Sequence, residues 1–328
     1  MKNPISKITI LFWALIGLYG LTITLYTVLQ FTIGERFVVV AWMNNGAYLL
    51  WAGAICLIVP CIIFRKQRLI ALMILPALAF TINYLPMYFP HDITSPPNTE
   101  PLTVLTYNIN LAPPDITSIA QDIRNIDADI VAIQELTFDT VDVLEADLSE
   151  LYPYRALHPV NGFHGQGILS KYPIVDDEFW KIHLGHQRAE IDINGNNITV
   201  YNVHPVHHIS PFGGFDVSRR TEEVTVFLDK AKHSQTPILI MGDFNMTDQS
   251  ADYQQITQTY HDSYHQVGYG MGTTFPGHIP FLPSLVRIDY VFHSDAFTAI
   301  NAEVLRSTGG SDHRPLVVTL ALDTSNNP

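Results

Sequence analysis

The chain has 328 residues, 47% of them hydrophobic, and a formal net charge of −13. Six of the 18 basic residues and one of the 31 acidic residues precede Pro90, so from there on 12 basic residues face 30 acidic ones, a formal charge of −18. A part that acidic repels polyphosphate backbones, which disfavours a nucleic-acid partner. It also holds no cysteine, since Cys56 and Cys61 both lie upstream, and this excludes a disulfide framework, a thiol nucleophile and a Cys-ligated zinc there.

The N-terminal third reads as membrane. Ile8 to Gly34, Phe37 to Phe64 and Leu69 to Phe89 carry no charge, and a span needs roughly 20 apolar residues. The spacing predicts a membrane anchor over residues 1–90 with three transmembrane helices, at about 8–31, 44–64 and 69–89. A run of buried core helices is the bland alternative, and three apolar runs in tandem argue against it. Lys2 and Lys7 precede the first run, and Arg65, Lys66 and Arg68 separate the second from the third. By the positive-inside rule the N-terminus is then cytoplasmic. With three spans, the rest of the chain is extracytoplasmic, on a multi-pass protein of the cell membrane. Residues 91–101 (HDITSPPNTEP) form a short polar linker, 102–322 the second domain and 323–328 a tail.

The second domain alternates strand and helix patterns. Strands are expected at Leu102–Tyr107, Asp129–Gln134, Gly167–Ser170, Ile238–Met241, Ile288–Phe292 and Leu316–Leu320. Ala189–Ile193 and Ile198–Val203 flank Asn194-Gly195-Asn196, a hairpin signal. Helices are expected at Ile116–Ile126 behind an Asp115 cap, at about Thr137–Leu151 and at Ser218–Lys232.

Six strand ends carry carboxylates, amides or imidazoles: Asn108, Glu135, His204, Asp243 with Asn245, Asp289, and Asp312 with His313. Any one of these serves equally well as a turn former. Together they form a set of hard oxygens with two histidines, which suits Mg²⁺, Mn²⁺ or Ca²⁺ better than structural zinc. A hard cation beside histidines polarises a phosphoryl oxygen. Asp243 could orient an attacking water, and a histidine could stabilise the phosphoryl oxygens.

The segments LTYNIN, DIVAIQE, GQGILSKYPI, YNVHP, ILIMGDFN, RIDYVF and GGSDHRPL, in that order, resemble the endonuclease/exonuclease/phosphatase (DNase I-like) superfamily over about Leu102 to Leu322. The resemblance implies a four-layer α/β/β/α sandwich, preceded here by the transmembrane helix bundle. It implies divalent-metal-dependent hydrolysis of a phosphoester, as a phosphodiesterase or phosphatase using Mg²⁺ or Mn²⁺. By motif, Glu135 resembles the principal metal ligand, with Asn108 and Asp312 beside it. Asp243 resembles the residue that orients or deprotonates water, and Asn245 its phosphate- or metal-contacting partner. His204 and His313 resemble the pair that holds the scissile phosphate, and Asp289 the carboxylate that supports a histidine.

Three loop features differ from the nucleolytic members. Residues 205–215 and 275–283 are rich in apolar side chains; they either pack on the core or form a rim for a lipid or the bilayer. Arg219 and Arg220 either pair with a phosphate or solvate a helix start. Asn245-Met246-Thr247 and Asn197-Ile198-Thr199 are formal sequons. The expected partners are thus the bilayer and a phosphoester substrate, a phospholipid among the candidates. A tethered extracellular nuclease is the alternative enzyme, and a non-catalytic module on the same fold the alternative class.

Overall fold

The computed structural model describes residues 4–89, 93, 99, 101–207, 209–210, 214–277, 279 and 283–323. Most of the expected linker and residues 324–328 of the tail lie outside the described residues. The chain divides into two compact units.

The first unit consists of α1 (Pro4–Thr32), α2 (Val38–Asn44), α3 (Ala47–Ile63) and α4 (Gln67–Tyr84). Large apolar side chains such as Ile8, Leu18, Ile63 and Ile82 point outward, the reverse of a water-soluble bundle. Polar atoms find partners inside: the Trp51 indole donates to Thr27 Oγ1 at 3.0 Å and the Tyr26 hydroxyl to Asn44 Oδ1 at 2.9 Å. Two helices, Lys7–Thr32 and Gln67–Tyr88, are long and apolar enough to cross a membrane. The expected second span is modified. At 17 residues α3 rises only about 25 Å, short of the roughly 30 Å hydrocarbon layer. It reaches spanning length only together with α2, across a 76° bend. Asn44, Asn45 and Gly46 mark that break.

The second unit opens with β1 (Pro101–Asn108), α5 (Ile116–Ile126), β2 (Ile130–Gln134), α6 (Phe138–Leu148), β3 (Tyr154–His158) and β4 (Gln166–Ser170). It continues through β5 (Ile174–Lys181), β6 (Gly185–Ile193), β7 (Asn196–Val203), the short pair β8 (Ile209–Ser210) and β9 (Gly214–Phe215), and α7 (Ser218–Lys232). It ends with β10 (Ile238–Asp243), α8 (Ala251–Thr257), β11 (His261–Asp262), α9 (Ser263–Val267), β12 (Asp289–His293), β13 (Phe297–Val304) and β14 (Leu316–Leu322). One six-stranded sheet runs β13-β14-β1-β2-β4-β3 and a second runs β11-β12-β10-β7-β6-β5.

Period-two alternation builds the layers. Leu105, Tyr107, Val131 and Ile133 face Ile119, Ile123, Leu144 and Leu148 of α5 and α6. Tyr201, Val203, Ile240 and Tyr290 face Val224, Phe227, Tyr253 and Ile256 of α7 and α8. The intervening residues of both sheets, among them Asn108, Asn202, Asp243 and Asp289, therefore turn toward the opposite sheet. The result is the expected α/β/β/α sandwich.

Local chemistry matches several expected boundaries. Asp115 caps α5 by accepting from the Ser118 amide, and Asn194 and Gly195 take positive φ in the β6–β7 hairpin. Between the sheets lies a polar layer: Gln134 Nε2 donates to Asn202 Oδ1 at 2.7 Å, and Asn202 Nδ2 to the carbonyls of Ile133 and Gly167. Gly242, at φ +150°, allows β10 to approach β7, since a Cβ there would stand 1.9 Å from the Val203 carbonyl oxygen.

Candidate active site

The parallel pairs β1–β2 and β7–β10 end at the same edge of the sandwich, and antiparallel β12 and the segment before β14 begin there. Because Asn108, Asp243 and Asp289 have inward parity, strand ends from both sheets aim their polar side chains at one another. Asn108 Nδ2 donates to Asp243 Oδ2 at 3.0 Å and to Glu135 Oε1 at 3.1 Å. His204 Nε2 lies 3.5 Å from Asp243 Oδ2 and 3.9 Å from Glu135 Oε1. His313 Nδ1 meets Asp289 Oδ2 at 3.0 Å, and its Nε2 lies 3.6 Å from Asp243 Oδ2. The eight residues singled out in the sequence thus gather at this one end.

Two of them are held differently from expectation. Asn108 presents its nitrogen to the carboxylates, while its Oδ1 accepts from the Asn110 amide at 3.0 Å; it would serve as an oxygen ligand only with the amide turned over. The Asn245 side chain donates to the Pro205 carbonyl at 3.0 Å, and its backbone N–H donates to Asp243 Oδ1 at 2.9 Å. Asn245 therefore ties the His204 loop to Asp243. Asp312 joins the group through Asn110, whose Nδ2 donates to Asp312 Oδ1 at 3.0 Å. Glu135, Asn110 and Asn245 all adopt positive φ (62°, 67° and 50°). Such strained backbone needs the surrounding structure to hold it.

The electrostatics separate the two histidines. Burial alone would push the His313 imidazole down, but the charges of Asp289 and Asp243 outweigh it and push it up to about 10. His313 is thus a cation at neutral pH. Asp289 is buried, with Oδ1 unpartnered, and Phe275 packs on the His313 ring with centroids 5.0 Å apart. His204 has no carboxylate on Nδ1, which is buried without a partner.

The backbone of His204 is fixed instead. Its N–H donates to His186 Nδ1 at 3.4 Å. Behind it lies Glu223 of α7, fully buried, with one oxygen accepting from the His183 and Leu184 amides at 2.9 and 2.5 Å and the other from the Val206 amide at 2.6 Å. Sequence reasoning missed His186, Glu223, Asn110 and Ser311, whose Oγ donates to the Asn108 carbonyl at 2.7 Å. Only Asn110, two residues past Asn108, had a visible signal. The reading of Arg220 is corrected. It neither solvates a helix start nor faces a phosphate: it is buried, with Nε on Asp252 at 2.6 Å and Nη1 on the Asn245 carbonyl at 3.1 Å. A buried charge of this kind requires such a partner. Arg219 is exposed and donates to His183 Nδ1 at 3.2 Å.

The donor set fits a divalent cation. Glu135, Asp243, Asp289 and Asp312 concentrate negative charge that His313 offsets only in part, and carboxylate oxygens suit a hard cation. Ligand atoms of Asp243, Asp289 and His313 lie within 4.8 Å of one another, a second grouping able to hold an ion. Since His313 Nδ1 is bonded to Asp289, that grouping reads more simply as a carboxylate-supported imidazolium facing Asp243.

A two-sheet sandwich with this carboxylate–histidine end defines a class of hydrolases, and the comparisons place the chain within it. The profile of the Endonuclease/Exonuclease/phosphatase family matches residues 105–313. The chain belongs to that family, whose members are phosphoesterase hydrolases that use divalent metals. Among solved structures, a family protein from Bacteroides thetaiotaomicron is 22% identical, with a TM-score of 0.57 over 69% of this chain and 99% of its own. The mannosyl-6-phosphatase of the same organism is 23% identical, with a TM-score of 0.55 over 67% and 99%. TDP2 of D. rerio, in complex with a single-strand DNA product, is 17% identical, with a TM-score of 0.56 over 67% and 99%. No curated protein matches the chain.

The Glu223 staple yields a pH prediction. Burial raises its carboxyl, but the His186 imidazole 3.4 Å away and the hydrogen bonds from the Leu184 and Val206 amides more than offset this and hold it below its usual value. A depressed carboxylate stabilises the fold above its unfolded value of about 4.5, and that stability is lost as pH falls through the lower folded value. Glu223→Gln is expected to cost on the order of 2 kcal/mol near neutral pH and to flatten the acid limb of the melting-temperature curve. An unchanged acid limb contradicts the assignment.

Proposed function

We propose that the protein is a membrane-anchored phosphoesterase, dependent on Mg²⁺ or Mn²⁺, acting on a phosphodiester or phosphomonoester substrate at the membrane surface. The observation that carries this reading is the convergence of Glu135, Asp243, Asp289 and Asp312 with His204 and His313 between the two sheets. Glu135 and Asp312 would hold the cation, with Asn108 through Oδ1; bound there, it neutralises charge on the phosphoryl group. Asp243, fixed by the Asn245 amide, aligns a water and accepts its proton. His313, kept cationic by Asp289, stabilises the negative charge that grows on the phosphoryl oxygens. His204 faces the same carboxylates and binds the phosphate from the other side.

The formal charge of −18 from Pro90 onward supports a small or membrane-borne substrate over nucleic acid. The related fold serves a sugar phosphatase in one structural neighbour and a protein complexed with DNA in another, so the charge, not the fold, is the discriminating observation.

Asp243→Asn keeps shape and removes charge. It is expected to lower kcat on bis(p-nitrophenyl) phosphate about 10²-fold or more with KM nearly unchanged, and chelation should abolish turnover until Mg²⁺ or Mn²⁺ is restored. A folded Asp243→Asn protein with normal kcat, or undiminished turnover in chelator, sinks the mechanism.

The Lys/Arg distribution and the bent α2–α3 pair together support an extracytoplasmic catalytic unit if that pair crosses once. Protease added outside intact cells should then cleave the catalytic unit. Protection until lysis would mean that α2–α3 re-enters on one side and that only two helices cross.

A further inference from the structure

Among the described residues, the second unit exposes six large apolar side chains: Phe138, Tyr154, Phe163, Val175, Tyr269 and Ile279. Scattered singly they would need no explanation. Three of them cluster around the catalytic end. Phe138 is three residues past Glu135 and is 53% exposed. Phe163, 54% exposed, lies on the β3–β4 loop. That loop is laced to the segment after Glu135 by the Val160 amide on the Leu136 carbonyl and the Leu136 amide on the Gly165 carbonyl. The two phenylalanines therefore flank one side of the carboxylate group. Ile279, 43% exposed, is two residues past Gly277, whose amide donates to the Asp312 carbonyl at 2.6 Å. It follows the segment bonded to the Asp312 main chain.

A cation accompanies this apolar rim. The Lys181 ammonium donates to His164 Nε2 at 3.0 Å, next to Phe163. Burial, followed by the Lys181 charge, pushes His164 down, so Lys181 is held by a neutral ring. Lys171, Lys230, Arg155, Arg188, Arg220 and Arg287 each pair with a carboxylate, and Lys181 is one of the other basic residues of this unit, set apart by its place beside Phe163. Exposed aromatic and aliphatic groups beside an uncompensated lysine suit a surface of acyl chains topped by phosphates. The chain also keeps such a surface close. Pro90 to Glu100, eleven residues, separate the last helical residues of the first unit from β1, a reach of about 40 Å at most.

We propose that the rim of Phe138, Phe163 and Ile279 with Lys181 docks on a phospholipid surface, so that the catalytic end takes its phosphoester from a lipid headgroup. This rests on the phosphoesterase reading above and specifies its substrate class. A zwitterionic bilayer is the committed occupant, because it carries no net charge to oppose this acidic unit, whereas a second copy would meet it with like charge.

The test uses the full chain with Cys56→Ser and Cys61→Ser, reconstituted alone into phosphatidylcholine vesicles. A bimane fluorophore is attached at Phe163→Cys or, as the control, at Val175→Cys, which is 55% exposed at the opposite end of the strands. Doxyl-labelled lipid should quench the label at 163 at least twofold and leave that at 175 unchanged. Equal quenching at both positions or at neither, or a label at 163 shielded from both lipid and aqueous iodide as a protein neighbour would leave it, overturns the docking. A second arm keeps the enzymatic reading separate. Phe138→Ser/Phe163→Ser should release lipid headgroup about tenfold more slowly while hydrolysing bis(p-nitrophenyl) phosphate at the parent rate. Equal loss on both substrates, or on neither, overturns the proposal. A parent protein inactive on both the soluble diester and the monoester p-nitrophenyl phosphate would instead overturn the phosphoesterase reading, and the quenching result would stand apart from it.

Discussion

Four carboxylates brought to one end of a sandwich repel one another, and the rest of the catalytic unit is arranged around that repulsion. Asp243 sits at its centre. It receives an Asn108 hydrogen bond at 3.0 Å and the Asn245 amide at 2.9 Å, and faces His204 and His313 at 3.5 and 3.6 Å. Asp289 spends its charge on His313, which explains why an imidazole with almost no exposure stays protonated. The charge left over on Glu135 and Asp312 is what a divalent cation would neutralise. Strained backbone at Glu135, Asn110 and Asn245 is the local cost of packing these groups so closely.

The supporting structure is polar where a sandwich of this size could have been apolar. Gln134 and Asn202 bridge the sheets one layer below the site, and Glu223 joins α7 to the loops at 183–184 and 205–206. Arg220, held by Asp252, donates to the carbonyl of Asn245. Every one of these groups is buried and bonded, so each holds a specific loop in place as well as filling space. The two histidines are held by different means: His313 through a carboxylate on its ring, and His204 through its own main chain.

The strands that end in the candidate site residues were legible because their apolar runs are continuous and stop at a polar residue: LTYN, DIVAIQE and ILIMGDFN each show the element and its polar end together. Asp115, Thr137 and the Asn194-Gly195 turn gave correct helix starts and a correct hairpin for local reasons. Edge strands β3, β5 and β13 were not visible. β5, IVDDEFWK, alternates poorly and carries three acidic residues, and it becomes a strand only by pairing with β6. Glu223 and Arg220 read as ordinary charges on an amphipathic helix; their burial depends on Val206, His183 and Asp252, partners 17 to 40 residues away. The start of the second span at about residue 44 was legible from Asn44 and Asn45, whereas the 76° bend that joins α3 to α2 was not, since no local pattern sets that angle.

The central claim is that this carboxylate group is a cation site organised around Glu135. Electron paramagnetic resonance of Mn²⁺ titrated into the purified full chain in detergent tests it without reference to any substrate. The account predicts saturable binding that Mg²⁺ displaces and that Glu135→Gln weakens about tenfold or more while the melting temperature in chelator stays near that of the parent. Mn²⁺ binding unchanged by Glu135→Gln, or no saturable binding by the folded parent chain, would contradict it.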